Sequence, residues 1–323
     1  MNSDTTSRWA KLDPHEEHFR IAGPRAGMAL FLRRLAATNA PADRPVVLYV
    51  HGATFPSALS IAHRFGGRSW RDALCEADLV VWGLDFYGFG NSDRYPEMNQ
   101  EATLHPPLCT ADDAAGQLDT AVRFILTHEG IDRVSIISHS WGSMPVGRLA
   151  AVHPTLLDRW VLFAPIAKRH PRRYETPPSF PAWRLITIED QWRRFIEDVP
   201  ATEPAVLSKS DFDSWAEAYL DSDADSRTRN PPSVKTPLGP FSEIIRAWHG
   251  SLPYDPAQVA CPVAFIRGEW DGLIPDEDAR SLFDAFTRAP EKRDIKISRA
   301  THLMHLEVMR SALWRESIEF LRR

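Results

Sequence analysis

The sequence predicts an α/β fold: a doubly wound, mostly parallel sheet interrupted by an inserted, mostly helical segment. Three observations lead there. Short continuous apolar runs recur along the 323 residues, segments with helical spacing fill most of the intervals between them, and one long interval breaks the alternation. Runs of this kind suit strands buried on both faces, as in a parallel sheet covered by helices. Regular alternation with helices implies right-handed crossovers.

In chain order, EEHFRIA (16–22) and MALFLRRL (28–35) read as a short hairpin, with Gly-Pro-Arg-Ala-Gly supplying the turn. PVVLYV (45–50), DLVVWGLD (78–85), RVSIIS (133–138), RWVLFAP (159–165), PVAFIRG (262–268) and RDIKIS (293–298) are the buried strands. Helical spacing covers roughly 58–76, 111–129, 142–153, 276–288 and 305–322. The helix from 111 has Thr110 as its cap and Asp112 and Asp113 in its first turn, where the helix dipole favours acids. From about Lys168 to Pro256 the rhythm stops, and Trp183, Trp192, Phe195, Phe212, Trp215, Tyr219 and Trp248 stand among prolines and polar residues. We expect an inserted helical cap over 168–256, placed after the sixth strand, and a core formed by 1–167 and 257–323.

Composition narrows the function classes. A hydrophobic fraction of 43% and a charged fraction of 25%, with a pI near 6.2, leave no extended basic field for nucleic acid. The amino terminus is polar, without the apolar core of a signal peptide, and no run approaches the roughly 18 apolar residues of a membrane span. A cytoplasmic protein without a membrane partner is expected, as a monomer or homodimer. Cys75, Cys109 and Cys261 are odd in number and widely spaced, so they suggest buried hydrophobes, not disulfides or a zinc site.

In an open parallel sheet, ligands bind beyond the carboxyl ends of the strands. The loops at those ends read His51-Gly52-Ala53-Thr54, Asp85 with the glycines after it, His139-Ser140-Trp141-Gly142, Glu269-Trp270-Asp271 and Arg299-Ala300-Thr301-His302. A small-x-Ser-x-Gly pattern alone arises often by chance. Here it is the only Ser-x-Gly triplet and it sits at a predicted strand end. A serine on a tight strand-to-helix turn needs small neighbours two residues before and after, which Ser138 and Gly142 provide, and it lies where free N–H groups favour negative charge. The Trp141 N–H is therefore one candidate oxyanion donor.

Together these loops resemble the α/β-hydrolase superfamily, from about residue 28 to the end. The resemblance lies in the joint order of the His-Gly loop at 51–52, the elbow at 138–142, an acid at 271 and a histidine at 302. Two departures stand out: Ser138 where glycine is commonest, and Ala300-Thr301 where a glycine is frequent. The resemblance implies the α/β-hydrolase fold, with Ser140 as nucleophile, His302 as base and Asp271 as its orienting acid. It also implies a second oxyanion donor at the Ala53 N–H, with Thr54 as rival, and a structural role for His305. Chemistry agrees with these roles. A serine hydroxyl needs a base, a neutral imidazole suits the task, and a carboxylate fixes its tautomer.

Glu269 lies close to its strand, and Asp276 and Asp278 follow Pro275 like helix N-terminal acids. His302 and His305 lack the spacing and further ligands of a zinc site, so no metal is expected. Asp85 reads as a structural turn, His51 as a loop-orienting residue and His139 as pocket-adjacent or core-facing. Thr54, Phe55, Trp183 and Leu303 are candidate pocket residues, and so aromatic a cap suggests an apolar site.

The expected activity is hydrolysis of a carboxylic ester or lactone through an acyl-enzyme, without a cofactor, on a small to medium, neutral and partly apolar molecule. The string Ser140-Trp141-Gly142-Ser143 is also similar to the elbow of proline iminopeptidases, which makes an aminopeptidase or amidase the rival. Gly52-Ala53-Thr54-Phe55-Pro56 departs from the Gly-Gly-Pro-Gly stretch of those enzymes. Glu189, Asp190 or Glu197 are the acids that would meet an ammonium. A hydrolase of C–C bonds and a ligand receptor on the same scaffold complete the alternatives.

Overall fold

The computed structural model describes residues 11–37, 44–169 and 178–323. Residues 1–10, which carry most of the polar amino terminus, and 170–177, at the start of the expected insert, lie outside the described residues. Strands β1 (Glu17–Ala22), β2 (Ala29–Leu35), β3 (Val46–Val50), β4 (Val80–Asp85), β5 (Val134–His139), β6 (Leu157–Phe163), β9 (Val263–Gly268) and β10 (Lys292–Ile297) form one sheet. Its order is β1-β2-β4-β3-β5-β6-β9-β10. The β1–β2 hairpin pairs antiparallel and joins β4 antiparallel; every other pairing is parallel.

Burial explains why the central strands lack polar alternation. Every residue of β3, β4, β5 and β9 is buried, because the sheet is covered on both faces. One face packs Leu48, Trp82, Ile136 and Phe265 under α2 (Ala111–Glu129), α3 (Ser143–Val152) and α7 (Asp276–Ala285). The other packs Tyr49, Val161 and Ile266 under α1 (Trp70–Glu76) and α8 (Arg310–Leu321). The long helix α2 has the expected bounds: Thr110 caps it, and Gly130 ends it at φ 66°, the left-handed conformation favouring glycine. All three cysteines are buried and free.

Two helices are shorter than their spacing predicts. Within 58–76 only 70–76 is α-helical, because the chain turns at Gly66 and Gly67 (φ 61° and 80°) and the helix starts at a Ser69–Asp72 capping box. At the carboxyl end, 304–306 forms an isolated 3-10 turn and α8 begins at Arg310.

Between β6 and β9 lie β7 (Trp183–Thr187), α4 (Ile188–Ile196), α5 (Lys209–Asp221), β8 (Ser233–Pro237) and α6 (Gly239–Trp248). Helices predominate there, but β7 and β8 pair antiparallel as a separate two-stranded sheet. Phe195 packs edge-on against Phe212 and Trp215, Trp215 stacks on Tyr219, and the cluster continues into Phe55, Leu303 and Leu306. The aromatic residues of this segment therefore fasten it to the loops at the carboxyl ends of the sheet. Among the described residues no helix is long and apolar enough to cross a membrane.

Candidate active site

Ser140 follows β5 directly and has φ 54°, a left-handed conformation for a non-glycine residue. Such a residue costs about 1–3 kcal/mol and persists only where its surroundings hold it. Those surroundings are visible. A Cβ at Gly142 would stand 2.6 Å from the His51 carbonyl oxygen and 2.9 Å from that of Val50, so the turn presses on the end of β3 and only glycine fits. Ser138, buried where glycine is commoner, accepts a hydrogen bond from Trp160 Nε1 at 2.8 Å. Ser143 Oγ donates to the Ser140 carbonyl at 2.8 Å, tying the turn to the first residue of α3.

The Trp141 side chain points away from the turn into the interior. It is fully buried, packs edge-on against Phe86 and donates from Nε1 to Glu243 Oε2 at 3.0 Å. The same oxygen accepts the Ala111 N–H at 2.7 Å. One carboxylate of α6 thus joins the Ser140 turn to the N-terminus of α2, and burial raises the pKa of this carboxyl.

His302 Nδ1 lies 3.0 and 2.9 Å from the two carboxylate oxygens of Asp271, and both side chains are buried. The loops carrying them are pressed together. A Cβ at Gly268 would meet the Ala300 carbonyl oxygen at 2.2 Å, and Trp270 N–H donates to that same oxygen at 2.9 Å. Asp271 Oδ1 also accepts the Leu273 N–H at 3.0 Å. The competing acids are committed elsewhere: Glu269 to the Arg299 N–H, Asp276 to Arg267 and Lys296, and Asp278 to Arg169. Behind the histidine, Glu307 is fully buried and accepts the Thr301 N–H at 3.0 Å and the Thr301 hydroxyl. Desolvation lifts its pKa to about 7.

The other histidines have separable positions. His51 Nδ1 is 2.7 Å from the Gly52 carbonyl and its Nε2 accepts the Phe86 N–H at 3.1 Å. Nδ1 therefore carries the proton and donates it. Because C=O and N–H of one trans peptide point in opposite directions, holding the Gly52 carbonyl turns the Ala53 N–H to the other side. His139 stacks on Phe163, and its Nε2 lies 3.1 Å from the His302 carbonyl. His305, buried beside His139 and Phe163, is driven by desolvation to a pKa of about 3 and stays neutral. Among the described residues no group of three or more His, Cys, Asp or Glu is placed to hold a metal ion.

Ser140 and His302 border one cavity of about 180 Å³, below the roughly 300–1,000 Å³ of sites for drug-sized ligands. Of the residues expected to form the pocket, Thr54, Phe55 and Leu303 also line it, as does Ala53, the expected oxyanion donor. Trp183 does not: its indole donates to the Gln100 carbonyl at 3.2 Å, and the Lys235 ammonium sits 4.1 Å from its ring centre. The adjacent residue on β7, Arg184, faces the cavity instead, with Arg194, Glu197, Phe241, Ile244 and Trp248. Sequence reasoning missed the two arginines, and only the alternation of side chains along a β7 strand would have pointed to the first.

The Hydrolase_4 family, described as serine aminopeptidase S33, matches residues 44–309. No curated protein matches the chain significantly. Solved structures share the fold at low identity. A 2-hydroxy-6-oxo-6-phenylhexa-2,4-dienoate hydrolase from Rhodococcus sp. strain RHA1 is 17% identical, with 95% of this chain and 100% of that one covered, at TM-score 0.62. A thermophilic esterase from Thermogutta terrifontis is 17% identical over 95% and 100%, at TM-score 0.57. An epoxide hydrolase from Vigna radiata is 15% identical over 95% and 98%, at TM-score 0.59.

Proposed function

The chain belongs to the Hydrolase_4 family of α/β-hydrolases, and from that premise we propose that it cleaves a small carboxylic ester or lactone through an acyl-enzyme on Ser140. The observation that carries this reading is the strained Ser140 at a helix N-terminus, bordering the same cavity as a histidine whose other edge is held by a buried carboxylate. With Nδ1 donating to Asp271, the His302 ring offers its Nε2 lone pair to the Ser140 hydroxyl proton. Asp271 holds that tautomer and balances the imidazolium that forms. The carbonyl oxygen turns toward the N–H groups of Trp141 and Ala53, and the hydrogen bond from His51 to the Gly52 carbonyl favours Ala53 over Thr54 as the second donor. His302 then protonates the leaving group and activates water against the acyl-enzyme. Residues 168–256 act as a cap whose α4 and α6 limit the substrate to a small, partly apolar acyl group.

Aminopeptidase activity is the second reading, favoured by the family's own description. The acids expected to meet an ammonium group are engaged or remote. Glu197 is bonded to Arg194 at 2.6 Å, Asp190 caps α4 through Thr187, and the Glu189 side chain is 84% exposed. Hydrolysis of p-nitrophenyl acyl esters alongside aminoacyl anilides, by wild type and Ser140→Ala, tests both readings. Ester turnover by wild type and its loss in a folded Ser140→Ala is the expected result. Retained turnover in the variant removes Ser140 from the mechanism, and preference for the anilides replaces the esterase reading with the peptidase one.

A further inference from the structure

Arg184 gives the cavity a chemical preference that its apolar lining does not. On β7 it lines the cavity, and its guanidinium carbon lies 4.8 Å from the centre of the ring of Phe241, which lines the cavity too. Among the described residues no carboxylate lies within ion-pair distance of it. The neighbouring cations of the same segment are matched: Arg193 by Glu189, Arg194 by Glu197 and Asp198, Arg229 by Asp223. Asp190 is the acid whose field reaches Arg184, and its own oxygens are committed to the Thr187 N–H and hydroxyl. Of the other charged groups on the cavity wall, Arg194 and Glu197 neutralise each other, and Arg194 keeps a buried Nη2 without a partner. Asp271 is taken by His302. Among the described residues of the wall, Arg184 is therefore a cation with no carboxylate at ion-pair distance.

We propose that this cavity receives an anionic substrate, an ester or lactone whose acyl part bears a second carboxylate, and that Arg184 is the residue that reads it. The inference rests on the ester-hydrolase reading for the bond cleaved. A guanidinium held by an aromatic face is pre-oriented and matches a carboxylate in two parallel hydrogen bonds. Its partial burial disfavours the bare cation, and an incoming anion relieves that cost. The apolar residues Phe241, Ile244 and Leu303 suit the methylenes between the two carbonyl groups. In a cavity of about 180 Å³, a ligand that reaches Ser140 also lies close to the residues of β7 and α6. A free ammonium in the same place meets repulsion, which separates this subsite from one for a peptide N-terminus.

The test compares two ethyl esters of equal acyl length by pH-stat, monoethyl glutarate and ethyl pentanoate, with wild type, Arg184→Met and Arg184→Lys. Glutarate binding to Ser140→Ala and to Ser140→Ala/Arg184→Met is measured by calorimetry. The expected result is a wild-type preference in kcat/KM for the anionic ester. Arg184→Met should lower the anionic-to-neutral ratio by about 30-fold, mainly through KM, and Arg184→Lys should restore part of it, as loss of one charge-assisted pair implies. Turnover of both esters with a ratio unchanged in Arg184→Met overturns the subsite and leaves the hydrolase reading standing. If neither ester is turned over, glutarate binding that depends on Arg184 supports the subsite and counts against the esterase, whereas binding indifferent to Arg184 overturns the subsite as well.

Discussion

Glu307 should make the folding stability of this protein pH-dependent in a direction opposite to that of an ordinary ion-paired acid. It is fully buried under the His302 loop, and desolvation raises its pKa from 4.5 to about 7. Between those values the folded chain holds a proton that the unfolded chain has released. Stability therefore falls as pH rises through this window and becomes level above pH 7. At 1.36 kcal/mol per pKa unit the full effect is about 3 kcal/mol, reduced wherever the buried loop relaxes. Glutamine keeps the shape and an acceptor for the Thr301 N–H but cannot ionise. Urea unfolding of wild type and Glu307→Gln at pH 5 and pH 8 should show the variant gaining about 1–3 kcal/mol on wild type between the two. A difference that stays flat with pH, or that favours wild type at pH 8, refutes the reasoning and means that the ionised carboxylate is fully compensated by its hydrogen bonds to Thr301.

Other substitutions probe the candidate triad and its scaffold. Asp271→Asn should lower kcat by about 10⁴, because an amide can hold the histidine in the wrong tautomer; a loss of only a few-fold in ester turnover would place the orienting acid elsewhere. Gly142→Ala drives a methyl into the carbonyls of Val50 and His51, so it should cost about 1–3 kcal/mol by thermal unfolding and depress kcat as the Ser140 turn shifts. An unchanged melting temperature would show that the turn yields without strain.

The sheet was legible because its central strands are buried on both faces, so Val46–Val50, Val80–Asp85 and Val263–Gly268 are written as unbroken apolar runs. The expected site residues were legible for a related reason: Ser140, Asp271 and His302 each follow a strand end, where a parallel sheet places its ligands. The segment between β6 and β9 offered no such signal. Its strands pair only with each other, β8 contains Pro237, and β7 leaves Leu185 exposed, so the pattern of a buried strand never forms. Trp183 packs outside the cavity because the strand turns Trp183 and Arg184 to opposite sides, and the charged residue lines the cavity. The long helix expected from 58 shortened because two consecutive glycines favour left-handed turns over helix. The expected neutrality of the substrate rested on an aromatic cap closing over the site, and composition alone does not show that Arg184 and Arg194 line the cavity.

The carboxylate of Glu243 has an implication for modularity. Inserts between two strands of a common core look interchangeable, since they enter and leave at one edge of the scaffold. Here the insert contributes an acceptor shared by the indole beside Ser140 and by the backbone of a core helix. Transplanting another insert onto this core would leave Trp141 Nε1 and the Ala111 N–H unpaired in the interior, each at a cost of about 1–3 kcal/mol. The cavity lining from this segment and the shape of the Ser140 turn are thus inherited together, and a graft that aims to change the first must carry its own replacement for Glu243.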